Sequence, residues 1–200
     1  MPQQEPERRG ACRRNTNETQ VHVELCLDGT GKSTVQTGIG FLDHMLTHVS
    51  KHGRIDLALS ATGDLHVDDH HTVEDVGIAL GQALDEALGD RAGIERYGWA
   101  VLPMDEALVL CAVDISGRGM CVYDAAVAAE RVGGMATEMA PEFFRAVAMN
   151  AHMTVHIRKI CGFNAHHVLE AAFKAFGRAL AAAVARRPGA TDIPSTKGVL

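Results

Sequence analysis

Two spacings of apolar residues divide this chain into elements. In QVHVELCL, at about 20–27, every second position is apolar, the period of a strand buried on one face. A turn at DGTGKS leads to a second strand over about 33–37. In GFLDHMLTHVSKHG, Phe41, Met45 and Val49 recur with Leu42 and Leu46 at helical intervals, and Gly53 supplies a stop. In RIDLALSATGD, Ile55, Leu57 and Leu59 alternate again and predict a strand. HHTVEDVGIALGQALDEALGD then predicts a helix closing on Gly89. The second half repeats this order. YGWAVLPM, ALVLCAVDIS and RGMCVYDA predict strands, PEFFRAVAMNAHM a helix with Pro141 in its first turn, and TVHIRKI a strand. HHVLEAAFKAFGRALAAAVARR predicts the longest helix, and PGATDIPSTKGVL a loop.

Strands, helix, strand and a helix opened by His-His-x-x-Glu therefore occur twice. This is the pattern of an internal duplication with its boundary at about 90–96. We expect a first repeat half over 14–92, a second over 93–187 and a C-terminal active-site tail over 188–200. Residues 1–13 are expected to be a disordered lead-in. MPQQEPERRGACRR has no apolar signal core, and no apolar run approaches membrane-spanning length, so no membrane partner is expected.

Hydrophobic content of 46% against 22% charged can fill a core. Aromatics are only 4%, so that core must be built from Val, Leu, Ile, Ala and Met. The net charge of −6 argues against a nucleic-acid partner but leaves room for a local basic pocket holding a small anion. Five cysteines, an odd number without CxxC, read as reduced thiols in a cytoplasm.

The eleven histidines change the picture more. Residues i and i+4 share one face of a helix, so His70 can grip an ion with Glu74, and His166 with Glu170. The next histidine in each copy, His71 or His167, is rotated by roughly 100° at 3.6 residues per turn and must address a different ion. Two copies thus suggest a two-metal arrangement, each ion taking a pair from one helix and the diverging histidine of the other. His44 and Glu142 stand at matching places in the preceding helices and offer a fourth ligand each. The expected sets are His44, His71, His166, Glu170 and Glu142, His70, His167, Glu74. Mixed imidazole and carboxylate ligands without Cys suit Mn, Fe, Co or Zn better than Ca or Mg. Asp68 or Asp69 would either orient an imidazole or cap the helix.

FLDHML, GDLHVDDHHTVED, MDEALVLCAVDISGR, NAHHVLEAAFKAFGRAL and PSTKGVL together resemble the imidazoleglycerol-phosphate dehydratase family from about Arg14 to Leu200. The resemblance implies an α+β fold of tandem duplicated half-domains, with helices packed between two mainly antiparallel sheets. It implies dehydration of D-erythro-imidazole glycerol phosphate to imidazole acetol phosphate in histidine biosynthesis. It implies two Mn²⁺ per active site and a homo-oligomer, a 24-mer built from trimers, with sites between subunits. His44, His70, His71, Glu74, His166, His167 and Glu170 match the family's metal ligands; Glu142 stands where some members have His. Glu18, in RNTNETQV, matches a substrate-contacting glutamate and is the expected proton-transfer group, with Glu74 and Glu170 sharing that work. Arg96, Arg118, Lys174, Ser195, Thr196 and Lys197 match phosphate contacts, and His52 a substrate-side position. His44, His70, Glu74 and His166 are expected to touch substrate as well as metal.

The implied path starts from a metal-bound imidazolate, an electron-rich ring that expels hydroxide to give a diazafulvene-like intermediate. His48 matches nothing and is expected at the surface or an interface, and His22, His66, His152 and His156 are expected to be structural. No Asp-x-Asp segment precedes residue 14, so a dehydratase without a fused phosphatase is expected. A metal-storage protein would explain the histidines but not PSTKG. A two-metal hydrolase would want a bridging carboxylate that the motifs do not offer.

Overall fold

The computed structural model describes residues 6–200. The first half runs β1 (Arg9–Asn15), β2 (Thr19–Cys26), β3 (Ser33–Gln36), α1 (Gly40–Gly53), β4 (Asp56–Gly63) and α2 (His70–Leu88). The second runs β5 (Tyr97–Met104), β6 (Ala107–Asp114), β7 (Met120–Asp124), a small hairpin of β8 (Arg131–Val132) and β9 (Met135–Ala136), α3 (Met139–Asn150), β10 (Thr154–Cys161) and α4 (Ala165–Ala183). Each half makes one four-stranded sheet, ordered β1-β2-β4-β3 and β5-β6-β10-β7. In each, one pair is parallel, β3 with β4 and β7 with β10, because a helix crosses over between its strands. The four helices lie between the two sheets, as expected for duplicated α+β half-domains.

The duplication extends to single residues. A Cβ on Gly10 would lie 1.9 Å from the carbonyl oxygen of Ala83, and one on Gly98 would lie 1.9 Å from that of Ala179. Each inner edge strand can approach its helix that closely only with glycine. The β1–β2 and β5–β6 registers also correspond, pairing Gly10 with Leu25 and Gly98 with Val113.

Helix packing crosses between the halves. α1 lies against α4, and α2 against α3. Gly77 and Gly81 of α2 admit the backbone of α3 at Phe143 and Val147, and Gly177 of α4 admits α1 at Val49. Phe143, Phe144, Phe173 and Phe176 are fully buried and stack in the middle, Phe144 and Phe173 with ring centroids 4.6 Å apart. Truncating one to Ala would cost about 3–5 kcal/mol.

Three expectations need correction. Residues 9–13 are not a disordered lead-in; they form most of β1, while residues 1–5 lie outside the described residues. GACRRN carries no large apolar side chain, so its alternation of buried Gly10 and half-buried Cys12 and Arg14 is invisible to a hydrophobic pattern. α4 stops at Ala183 and, at 19 residues, equals α2 rather than exceeding it. The hairpin β8–β9 was not expected; its two-residue strands are too short to show a period. No helix among the described residues is long and apolar enough to cross a membrane.

Candidate active site

Because α1 packs on α4, His44 meets the second His-His pair. His44 Nε2 lies 3.2 Å and His166 Nε2 3.1 Å from the same oxygen, Oε2 of Glu170. His48, one turn on from His44, brings Nε2 to 3.5 Å from Glu170 Oε1. His44, His48 and Glu170 offer ligand atoms within 4.8 Å of one another. Glu170 is 5% exposed. Burial alone would raise its pKa, but Lys174, His48 and His166 outweigh that and hold its carboxyl at about 2. Burial pushes His48 down to about 4, so its ring stays neutral and keeps a lone pair for a ligand.

Because α2 packs on α3, the other predicted pair also meets its partner. His70 Nε2 lies 3.6 Å from Glu74 Oε2. Arg145 joins the two carboxylates: its guanidinium donates to Glu142 Oε2 from Nε at 2.9 Å and reaches Glu74 Oε1 at 3.4 Å. Glu142 and Glu74, in different halves, are thus held about one cation.

The diverging histidines leave both clusters. His71 turns to Asp64, with Nδ1 3.0 Å from Oδ2, and lies 3.8 Å from Glu18 Oε2. His167 turns to Glu106, with Nδ1 2.7 Å from Oε2. The hydrogen bond that each carboxylate accepts raises that histidine's pKa, and the bond with His167 draws Glu106 down to about 2. Such a carboxylate partner favours the proton on Nδ1, which leaves Nε2 as the lone-pair atom; in His167 that atom faces Asp105 Oδ2 at 3.5 Å. Within one chain, then, the first set brings His44, His166 and Glu170 together, with His48 beside them and His71 outside; in the second, His70 lies near Glu74, Glu142 is linked to Glu74 only through Arg145, and His167 stands apart. Neither Asp68 nor Asp69 touches an imidazole: Asp68 accepts from the His70 backbone at 2.8 Å, and Asp69 accepts from Ala136 N at 2.5 Å, tying the β8–β9 hairpin to the start of α2.

The donor sets fit a divalent transition ion. They combine imidazole nitrogens with carboxylate oxygens, and each already sets a basic side chain, Lys174 or Arg145, against its carboxylates.

A second concave site forms where the tail folds back. Arg96, Arg118, Ser195, Thr196 and Lys197 line a cavity of about 600 Å³. Arg96 Nη1 donates to Pro194 O at 2.8 Å and its Nε to Asp114 Oδ1 at 2.8 Å, which anchors the tail. Ser195 Oγ accepts from Lys197 N at 3.2 Å, which curls the tail beside the cavity that both residues line. This chemistry suits a phosphate. Lys174 is not among its lining residues and donates to Glu170 instead. His52 stacks on His48 with centroids 5.7 Å apart.

Sequence reasoning placed His48 at the surface or an interface, although its i+4 spacing from His44 was a usable signal. Asp64 and Glu106 gave none, because each meets its histidine through a turn.

A family model described as imidazoleglycerol-phosphate dehydratase matches residues 37–180. A relative of that name from Desulforamulus reducens is 57% identical over 187 residues, covering 94% of this chain and 95% of the relative. Another, from Dinoroseobacter shibae, is 54% identical over 194 residues and covers 96% and 100%. The crystal structure of imidazoleglycerol-phosphate dehydratase from Staphylococcus aureus is 43% identical, with a TM-score of 0.81 over 89% of this chain and 99% of its own. The structure from Pyrococcus furiosus is 40% identical, with a TM-score of 0.81 over 94% and 99%.

Proposed function

The chain belongs to the imidazoleglycerol-phosphate dehydratase family, a family of metal-dependent hydro-lyases in histidine biosynthesis, and from that premise we propose how its residues perform the reaction. The substrate is D-erythro-imidazole glycerol phosphate and the product imidazole acetol phosphate. The observation that carries this reading is the convergence of His44, His166 and Glu170 from opposite halves on one point.

We assign two Mn²⁺ ions to each site. His44, His166 and Glu170 hold one, with His71 from another copy of the chain; Glu142, His70 and Glu74 hold the other, with His167 supplied likewise. The turn of His71 and His167 away from their own clusters, each bonded to a carboxylate at Nδ1, supports this sharing. So do Phe163 and Val67, which are 86% and 60% exposed beside the two His-His pairs and want cover. The assembly proposed is the 24-mer of trimers, in the cytoplasm. The two repeat halves and the tail keep the boundaries given above, except that the first half begins at Arg9.

When bound, such ions stabilise negative charge on an imidazole ring and on the substrate's hydroxyls. The chain's residues do the rest. Arg96, Arg118, Ser195, Thr196 and Lys197 hold the phosphate and fix the substrate's far end. Lys174 serves the same substrate from beside Glu170, and His52 lies behind His48. The hydroxyl on the carbon bonded to the ring leaves as water, with the proton given up by the ring nitrogen, while ring electrons move outward and give the diazafulvene-like form. Glu18 then takes the proton from the next carbon, which restores the aromatic ring and leaves an enol that becomes the ketone. Glu74 and Glu170 share in proton transfer while they hold the ions.

The test is turnover of Mn²⁺-loaded protein to imidazole acetol phosphate, with the metal content measured in parallel. Turnover with about two ions per chain is expected from paired clusters. Two bound ions without turnover would overturn the assignment of the reaction to these clusters.

A further inference from the structure

Asp75 follows Glu74 on α2 and is 6% exposed, yet nothing in the reaction above uses it. Its Oδ1 accepts from Arg14 Nε at 2.7 Å, and its Oδ2 accepts from the hydroxyl of Thr19, itself 2% exposed. The Thr19 proton is committed to Asp75. The Thr16 hydroxyl, 3.2 Å from Thr19 Oγ1, must therefore donate to Thr19. That leaves the Thr16 oxygen to accept from the backbone of Glu18 at 3.1 Å and of Thr19 at 2.9 Å. A directed chain of hydrogen bonds runs from α2 through Thr19 and Thr16 to the peptide nitrogen of Glu18. The Glu18 carbonyl is tied in turn by Asp64 N at 3.1 Å.

The duplication supplies an internal control. With Gly10 set on Gly98 and His70 on His166, the counterparts of Arg14, Thr16, Thr19 and Asp75 are Leu102, Met104, Ala107 and Ala171. The second half builds the same strand pair, turn and helix with apolar side chains at all four places. The fold therefore does not require the polar chain. An ion pair with one buried partner is in general no more stabilising than well-packed apolar residues, so its presence in one half calls for another reason. The two turns differ in that reason. The Glu106 carboxylate, counterpart of Glu18, is held by His167 and by the Asn164 backbone at 2.8 Å. The Glu18 carboxylate is half-exposed and only 3.8 Å from His71 at its nearest, so it is held by its backbone instead.

We propose that Arg14, Asp75, Thr19 and Thr16 are positioning residues that fix the Glu18 turn against α2, leaving the Glu18 carboxylate free to exchange a proton while its backbone stays still. This rests on the assignment of Glu18 to proton transfer. A displacement of about 1 Å at a reacting group costs on the order of 10²-fold in rate.

The test transplants the second half's solution into the first, as Arg14→Leu, Thr16→Met, Thr19→Ala and Asp75→Ala together, in Mn²⁺-loaded full-length enzyme. kcat should fall on the order of 10²-fold, with the substrate KM, the metal content and Tm close to wild type. Thr19→Val, nearly isosteric, should lower kcat in the same direction and covers the case in which the fourfold variant misfolds. In a Glu18→Gln background the same changes should cost nothing further, since they act through Glu18. Loss of bound metal or of Tm in step with kcat would make the chain merely structural and overturn the proposal. So would Thr19→Val at full rate, or losses that add to that of Glu18→Gln. Full activity in Glu18→Gln alone would instead remove Glu18 from the mechanism, and the positioning role with it.

Discussion

The cluster on α4 and the cluster on α2 descend from one motif, His-His-x-x-Glu, and have diverged in chemistry while keeping their backbone. The α4 cluster is rich in imidazole: His44, His48 and His166 surround one buried carboxylate, with Lys174 against it. The α2 cluster is rich in carboxylate: Glu74 and Glu142 share Arg145, and His70 stands to one side. The exchange of His44 for Glu142 at matching places accounts for most of the difference. The lesson is that a duplicated scaffold fixes where ligands point, through the helix period and the close glycine contacts, and leaves free what they are.

Replacing the one carboxylate of the α4 cluster should break the comparison most completely. Glu170→Gln keeps the shape but removes the charge on which three imidazoles converge. We expect one ion lost per chain, and kcat lower by about 10³-fold or more, equivalent to several kcal/mol of lost charge stabilisation. Metal analysis beside steady-state rates would check this; an unchanged ion count would make the α4 cluster an ordinary polar contact.

Next come the carboxylates behind the diverging histidines. Asp64→Asn and Glu106→Gln should each weaken metal affinity by about 10- to 100-fold, the range seen when a histidine ligand loses its orienting partner. Equal losses in a metal titration would show that the two halves are functionally paired; a loss in one alone would break the pairing.

Lys197→Ala tests the tail, which has no counterpart in the first half. A charge-assisted hydrogen bond is worth about 1.5–3 kcal/mol, so KM should rise by about 10- to 100-fold with kcat little changed. A lower kcat at constant KM would move Lys197 from phosphate binding to the reacting end.

The smallest effect is expected from Arg145→Met. The Arg145 side chain is 52% exposed, and exposed pairs contribute about 0–1 kcal/mol. Freed of its cation, the α2 cluster should bind its ion up to about fivefold tighter, while the α4 cluster does not respond. Isothermal titration that resolves the two ions would read the asymmetry directly.

By itself the sequence determined what depends on local period. The pairing of His70 with Glu74 and of His166 with Glu170, and the divergence of His71 and His167, follow from 3.6 residues per turn. The alternation in β2 and β4 follows from the pleat, and the duplication is legible in the order of elements. Tertiary structure decided whatever joins distant segments. β1 shows no apolar period, since its inward positions are Gly10, Cys12 and Arg14, and it exists because β2 pairs with it and Ala83 admits Gly10. Asp64 and Glu106 reach their histidines across turns, and Asp75 reaches Glu18 through two threonines on another element. His44 finds Glu170, and Glu142 finds Glu74, because the helices of the two halves pack crosswise. No local spacing encodes that exchange: it is selected by the burial of whole helix faces, a sum over many side chains rather than a pattern within one segment.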